Sequence, residues 1–128
     1  VNLHISLLPW NRGAAPNFFS FYGETPRGVT IHLLDEGIDT GDILYREEVS
    51  LDAQAHTFAT AYERLHEVLQ ALFLKNWEDI RRGAVLPQKQ AGGGSFHTKA
   101  EFEGIRRRYP FEWSENIAFV MRRLEGEP

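Results

Sequence analysis

The run Val1-Asn2-Leu3-His4-Ile5-Ser6-Leu7-Leu8-Pro9 decides how the rest of the chain is read. Its residues alternate in character. Val1, Leu3, Ile5 and Leu7 fall on one side of an extended strand, and Asn2, His4 and Ser6 fall on the other. The β-branched residues favour the extended form and Pro9 ends it. An amide and an imidazole two positions apart therefore share a face near a strand end, which is where α/β sheets build their sites. A neutral imidazole can take a proton near neutral pH, and an Asn amide can donate to a developing oxyanion. Taken alone, Asn-x-His also describes a histidine that is simply hydrogen-bonded inside a core.

Working outward, residues 14–22 read as a short helix with Pro16 in its first turn and Phe18, Phe19 and Phe21 for a core. Residues 28–34 form the next strand, with Val29, Ile31 and Leu33 on one face, and 43–49 form a third. The two strands and the loop between them predict an antiparallel pair or wide hairpin. His32 faces either the same site as His4 or the solvent side of the sheet. The longest helix starts behind Thr57 as N-cap and ends before Gly83, with Phe58, Tyr62, Leu65, Leu69, Leu72, Phe73 and Ile80 at helical spacing. Residues 86–90 read as extended, 90–97 as a Gly-rich loop anchored by Phe96, and 99–107 and 114–124 as closing helices. Phe96 and His97 are candidates for ligand contact, whereas His56 and His66 read as surface residues. Trp10, Trp77 and Trp113 read chiefly as packing residues.

The loop Asp35-Glu36-Gly37-Ile38-Asp39-Thr40-Gly41-Asp42 is the second chemical feature. Read as a calcium loop starting at Asp35, it has Gly37 third, Thr40 sixth and Arg46 twelfth, where acidic, glycine and glutamate residues are needed. No metal site is expected. The two readings left are a solvated acidic turn, and a tight loop whose glycines let backbone approach a ligand while Asp39 is aimed at His4. A carboxylate there would raise the pKa of His4 and stabilise its charged form. Gly92-Gly93-Gly94-Ser95 lacks the ending of a phosphate-binding loop.

The chain has 128 residues, 42% apolar and 25% charged, which fits one globular domain of ordinary size. Its net charge is −4, and its one basic block is Arg106-Arg107-Arg108, so a nucleic-acid partner is not expected. Cysteine is absent, which excludes disulfide and thiolate chemistry. No apolar run reaches membrane-spanning length and no signal peptide opens the chain, so no membrane partner and a cytoplasmic location are expected. The sequence opens one residue before Asn2 without an initiator Met, which leads to the expectation that a segment upstream is missing from it.

Three motifs occur in one order: Asn2 to Pro9; Arg12-Gly13-Ala14-Ala15-Pro16; and Gly28-Val29-Thr30-Ile31-His32 followed by Asp35 to Leu44. Together they resemble the N10-formyltetrahydrofolate-dependent formyltransferase family, which includes methionyl-tRNA formyltransferase, glycinamide ribonucleotide formyltransferase and the sugar-nucleotide N-formyltransferases. The resemblance covers residues 1 to about 50 and is looser beyond. It implies an α/β fold: the second half of a Rossmann-like formyltransferase domain, a few-stranded mixed sheet with a long helix and C-terminal helices. The chain is then one partial domain, with catalytic motifs in 1–50, the long helix in 56–83 and a variable region in 84–128. The resemblance places the catalytic roles on Asn2, His4 and Asp39. Contact with the formyl donor falls on Asp35, Glu36, Gly37 and Ile38, and contact with the amine substrate on Ser6, Leu7, Leu8, Pro9, Trp10 and Arg12.

Within the family, Gly13-Ala14-Ala15-Pro16 resembles the tRNA enzyme. Pro9 to Gly13, Pro16 to Phe21 and Gly93 to His97 look more like the sugar-nucleotide enzymes, which act on an amino deoxy sugar carried by a nucleoside diphosphate. The resemblance therefore implies N10-formyltetrahydrofolate as donor and a nucleotide sugar as the amine. The alternatives are a methionyl-tRNA formyltransferase, or a truncated, non-catalytic fragment that self-associates. The family's preceding half would cover one edge of the first strand; without it that edge is bare, and a homodimer or larger assembly is expected.

Overall fold

The computed structural model of the protein describes residues 1–126. Its centre is a three-stranded antiparallel sheet in the order β1 (Asn2–His4), β3 (Gly28–His32), β4 (Ile43–Glu48). Between β1 and β3 the chain makes β2 (Arg12–Gly13) and helix α1 (Pro16–Tyr22). After β4 come the long helix α2 (Phe58–Arg81), the short strand β5 (Phe96–His97) and helices α3 (Lys99–Arg108) and α4 (Ile117–Gly126). β2 and β5 pair in parallel as a separate ribbon, so both strand senses are present, but the main sheet itself is purely antiparallel. The hairpin expected from β3 and β4 forms, with a register irregularity between Ile31 and His32.

The first strand is shorter than the alternation predicts, ending at His4. Thr30 supplies the reason. Its hydroxyl donates to the Ser6 carbonyl at 2.7 Å and accepts the Leu8 N–H at 3.1 Å, which folds residues 6–8 back over β3. Arg46 Nη1 then donates to the Leu8 carbonyl at 2.6 Å. The α1 helix begins at Pro16 rather than residue 14, because Ala15 takes a left-handed conformation (φ 48°) that ends the preceding turn.

The core lies on the sheet face carrying Val29 and Ile31, against α1, α2 and the segment leading to α4. Thr57 caps α2 reciprocally: its hydroxyl accepts the Thr60 N–H while the Thr60 hydroxyl accepts the Thr57 N–H. Phe58, Ala61, Leu65, Val68 and Leu69 are its buried stripe. Tyr62 falls outside that stripe, half exposed against the His66 ring. Phe18 is fully buried, stacked on Phe111 at 5.4 Å and edge-on to Phe102. No helix among the described residues is long and apolar enough to cross a membrane. The opposite face of the sheet carries the polar residues of β1.

Candidate active site

The β1–β3 ladder sets Asn2 opposite His32 and His4 opposite Thr30. Directly opposed residues share a face, so Asn2, His4 and His32 converge. The rings of His4 and His32 lie nearly perpendicular, 6.4 Å apart between centroids. Asp39 arrives from the β3–β4 connection in a left-handed conformation, φ 56°. Its Oδ1 is 3.5 Å from His32 Nε2, and its Oδ2 is 3.6 Å from His4 Nε2 while accepting the Gly13 N–H at 2.9 Å. The three side chains are largely enclosed: His32 is 1% exposed, Asp39 10% and His4 11%.

The hydrogen bonds assign the protons. His32 Nδ1–H donates to the Leu33 carbonyl at 2.8 Å. Its Nε2 therefore meets Asp39 either as a lone pair against a carboxylate or as an N–H, and only the second is attractive. Asp39 accordingly raises the pKa of His32 against the opposing effect of burial. His4 differs. Its Nε2–H donates to the Asn11 carbonyl at 3.0 Å, which leaves Nδ1 with the lone pair. Burial pushes the His4 pKa below 6.5, outweighing the Asn11 carbonyl and Asp39, and charge on His32 adds to the lowering. A raised value, expected from the carboxylate alone, is thus overturned by desolvation. Burial pulls the Asp39 pKa upward, but His32, the Gly13 N–H and His4 together bring it below the ordinary value.

The other residues singled out from the sequence take varied positions. The Asn2 amide is half-buried and hydrogen-bonded to no described residue. Ser6, Leu7, Leu8 and Pro9, expected to contact the amine substrate, are buried, so their side chains are not presented at the surface. Trp10 and Arg12 are half-buried, and Arg12 Nη2 donates to the Gly93 carbonyl at 3.0 Å. Asp35 is turned inward on its own loop, where its Oδ1 accepts the Thr40 hydroxyl at 2.6 Å and the Gly37 N–H at 2.9 Å. Glu36, Gly37 and Ile38 are exposed at the loop tip, with Leu34 beside them. His97 stacks flat on Phe19 at 3.7 Å and bonds Glu101, so it belongs to the packing.

Two features were not legible beforehand. The face occupied by His32 is settled only by the ladder register, although its place seven residues before Asp39 is a signal in retrospect. The Asn11 carbonyl that fixes His4 depends on a left-handed Asn11 (φ 56°), a conformation Asn tolerates better than most residues.

A buried imidazole pair sharing one carboxylate, with an unengaged amide alongside, is the equipment of proton transfer and oxyanion stabilisation used in acyl-type transfers. The sequence profile described as "Formyl transferase" matches residues 1–76. The chain belongs to the formyl transferase family. It is 39% identical to the methionyl-tRNA formyltransferase of Clostridium beijerinckii over 98% of this chain and 40% of that protein. It is 33% identical to the dTDP-4-amino-4,6-dideoxyglucose formyltransferase of Mycobacterium tuberculosis over 84% of this chain and 45% of that one. Among solved structures, it resembles the formyltransferase PseJ from Anoxybacillus kamchatkensis in complex with UDP-4,6-dideoxy-4-formamido-L-AltNAc and tetrahydrofolate. That likeness has a TM-score of 0.86 and 40% identity over 93% of this chain and 62% of that chain. The chain thus spans about two fifths of the length of the curated relatives it matches.

Proposed function

We propose that this chain carries the reactive centre for moving a formyl group from N10-formyltetrahydrofolate to the amine of a nucleotide-linked amino deoxy sugar. The observation that carries the reading is the convergence of Asn2, His4 and Asp39 from two separate segments in a member of this family. The donor supplies an activated formyl carbon. The residues present fit it: exposed Leu34 and Ile38 offer apolar contact to a flat ring beside the acidic loop, and the unengaged Asn2 amide is free to meet a carbonyl oxygen. His4 Nδ1 takes the proton that the attacking amine gives up as the amine nitrogen bonds the formyl carbon, and Asn2 donates to the formyl oxygen as charge builds on it. The bond from that carbon to N10 then breaks, with the proton passed on to N10 of the departing tetrahydrofolate. Asp39 steadies the charge that His4 acquires, from 3.6 Å.

A nucleotide sugar as acceptor is supported by the likeness to PseJ and to the mycobacterial sugar enzyme, and by the absence of a strongly basic composition. Methionyl-tRNA is the second reading, because relatives bearing that name match over nearly the whole chain. Incubating the protein with N10-formyltetrahydrofolate and either a nucleotide-linked 4-amino sugar or charged initiator tRNA separates the two. A gain of one formyl mass on the sugar supports the first reading, transfer to the tRNA alone supports the second, and transfer to neither sinks both.

Self-association belongs to the same proposal. Among the described residues β1 pairs only with β3, and Val1 and Leu3 are 51% and 37% exposed along it. An open edge with apolar side chains favours pairing with another copy. Light scattering should give a mass of at least two chains; a concentration-independent monomer would remove this part of the proposal.

A further inference from the structure

The loop that carries Asp39 is closed on itself by the Asp35 bonds to Thr40 and Gly37, but the turn at Asp39 is also held from outside it. Asp39 occupies a left-handed conformation that L side chains rarely adopt, and the loop tip around it is exposed. What spans the loop from outside is the segment 88–97. That segment is fastened at one end to β4, where Ile43 and Gln88 exchange backbone hydrogen bonds at 2.7 and 2.9 Å. At the other end Ser95 N–H donates to the Pro9 carbonyl at 3.1 Å, and Arg12 N–H to the Ser95 carbonyl at 2.9 Å. Gln90 lies between these anchors. Its Nε2 donates to the Asp39 carbonyl at 2.8 Å and to the Gly41 carbonyl at 2.9 Å.

Two details give that amide meaning. Its Oε1 is buried without a partner, so as a fastening it is costly on one side. Swapping its ends would set an oxygen against two carbonyls, so the orientation is fixed. An apolar residue of the same size would avoid the orphaned acceptor but release both carbonyls. Gly41, the second of the two residues held, has no room for change: a Cβ there would lie 1.7 Å from the Leu33 carbonyl oxygen. The backbone on both sides of Thr40 is therefore pinned, and the Asp39 carboxylate is aimed between the two imidazoles.

We propose that Gln90 is the positioning residue of the site: its carboxamide clamps the turn at Asp39, and through that turn sets how the carboxylate is shared between His4 and His32. It touches neither imidazole. The inference deepens the formyl-transfer reading but stands on geometry independent of it. The charged groups facing His32 are Asp39 and Asp35, with the titratable His4 ring 6.4 Å away, and none of the three is on the clamping segment.

The test uses the full chain with labelled imidazoles, following His4 and His32 by NMR as pH is varied. In Gln90→Met, which keeps size but removes the donors, the midpoint of His32 should fall by about 1 pH unit as Asp39 swings away. Lys89→Ala, at the exposed neighbour, should move neither histidine. In Gln90→Met, and not in Lys89→Ala, the rate of formyl transfer should drop about 10-fold or more with KM for the amine unchanged. An unmoved His32 midpoint in a folded Gln90→Met protein overturns the proposal. A second measurement needs no variant: the two Nε2 protons of Gln90 should exchange with solvent far more slowly than those of exposed Gln54. Equal exchange also overturns it. If the histidine midpoints respond but the unmodified protein transfers no formyl group, the functional reading fails and the positioning role stands.

Discussion

Replacing Asp39 with Asn should cut formyl transfer by about 10³–10⁴-fold, the scale seen when an aspartate orienting a catalytic histidine is amidated. The fold should survive, because the two side chains have the same shape. The loss follows from which end of the new amide faces which partner. The Gly13 N–H needs an acceptor, so the amide oxygen stays at the Oδ2 position, 2.9 Å from it. The NH₂ group then points at His32 Nε2, 3.5 Å from the Oδ1 position. A donor there requires His32 to offer its lone pair, so His32 loses its extra proton. His4, meanwhile, loses the negative charge that stabilises its protonated form. NMR titration should show the His32 midpoint falling, and steady-state kinetics should show the loss in kcat rather than in KM. A variant that keeps its rate within tenfold would remove Asp39 from the reaction.

The same substitution should change how stability depends on pH. The pKa of His32 is raised in the folded protein, so its contribution is complete below the unfolded value of about 6.5 and fades as pH rises through the folded one. The pKa of Asp39 is lowered, so its contribution is present above the unfolded carboxyl value of about 4 and is lost as pH falls through the folded one. Both are complete between those limits. The gap in denaturation midpoint between wild type and Asp39→Asn should therefore be wider near pH 5.5 than near pH 9.

His4→Gln should lower the rate by about 10²–10⁴-fold, the usual range for loss of a general base. Glutamine can still donate to the Asn11 carbonyl, as His4 Nε2 does at 3.0 Å, so the local structure has a replacement for that bond. What it lacks is a basic nitrogen at the Nδ1 position. Because burial holds the His4 pKa below its ordinary value, the wild-type imidazole is neutral and ready at neutral pH. The acid limb of the rate profile should report its protonation, and that limb should vanish in the variant. Circular dichroism and the thermal midpoint would confirm that the fold is intact; a retained acid limb would show that another group is the base. The two neighbouring imidazoles are pushed in opposite directions, His4 toward its neutral form and His32 toward its charged form, a pattern expected where groups with different tasks share a site.

Much of this arrangement follows from local sequence. The alternation of Asn2 and His4, the Thr57 cap, the glycine after α2 and the antiparallel pairing across residues 35–42 depend on near neighbours, and local rules capture them. The end of β1 at His4 does not, because it is imposed by the Thr30 hydroxyl, which is 24 residues from Ser6 in sequence. Nor does the β2–β5 ribbon, whose strands of two residues each are too short to leave a periodic signal. The placement of His32 required the register, and the grip of Gln90 on a loop 51 residues away left no trace in composition or spacing. The lowered pKa of His4 required knowing its burial as well as its charged neighbour.

The parallel pairing of Arg12 with Phe96 and Gly13 with His97 bears on biosynthesis. The peptide N–H that holds the Asp39 carboxylate belongs to Gly13, and Gly13 is itself packed so closely under His97 that a methyl group would meet its carbonyl oxygen at 2.3 Å. A nascent chain that had emerged from the ribosome only as far as α2 would already contain both imidazoles, the carboxylate and the β1–β3 ladder that pairs the strands of the two imidazoles, but not the strand that packs over Gly13 or the Gln90 side chain that grips the turn at Asp39. Contacts between segments so far apart in sequence cost chain entropy before they are rewarded, so the packing over Gly13 and the grip on the Asp39 turn are completed only when the last third of the chain docks.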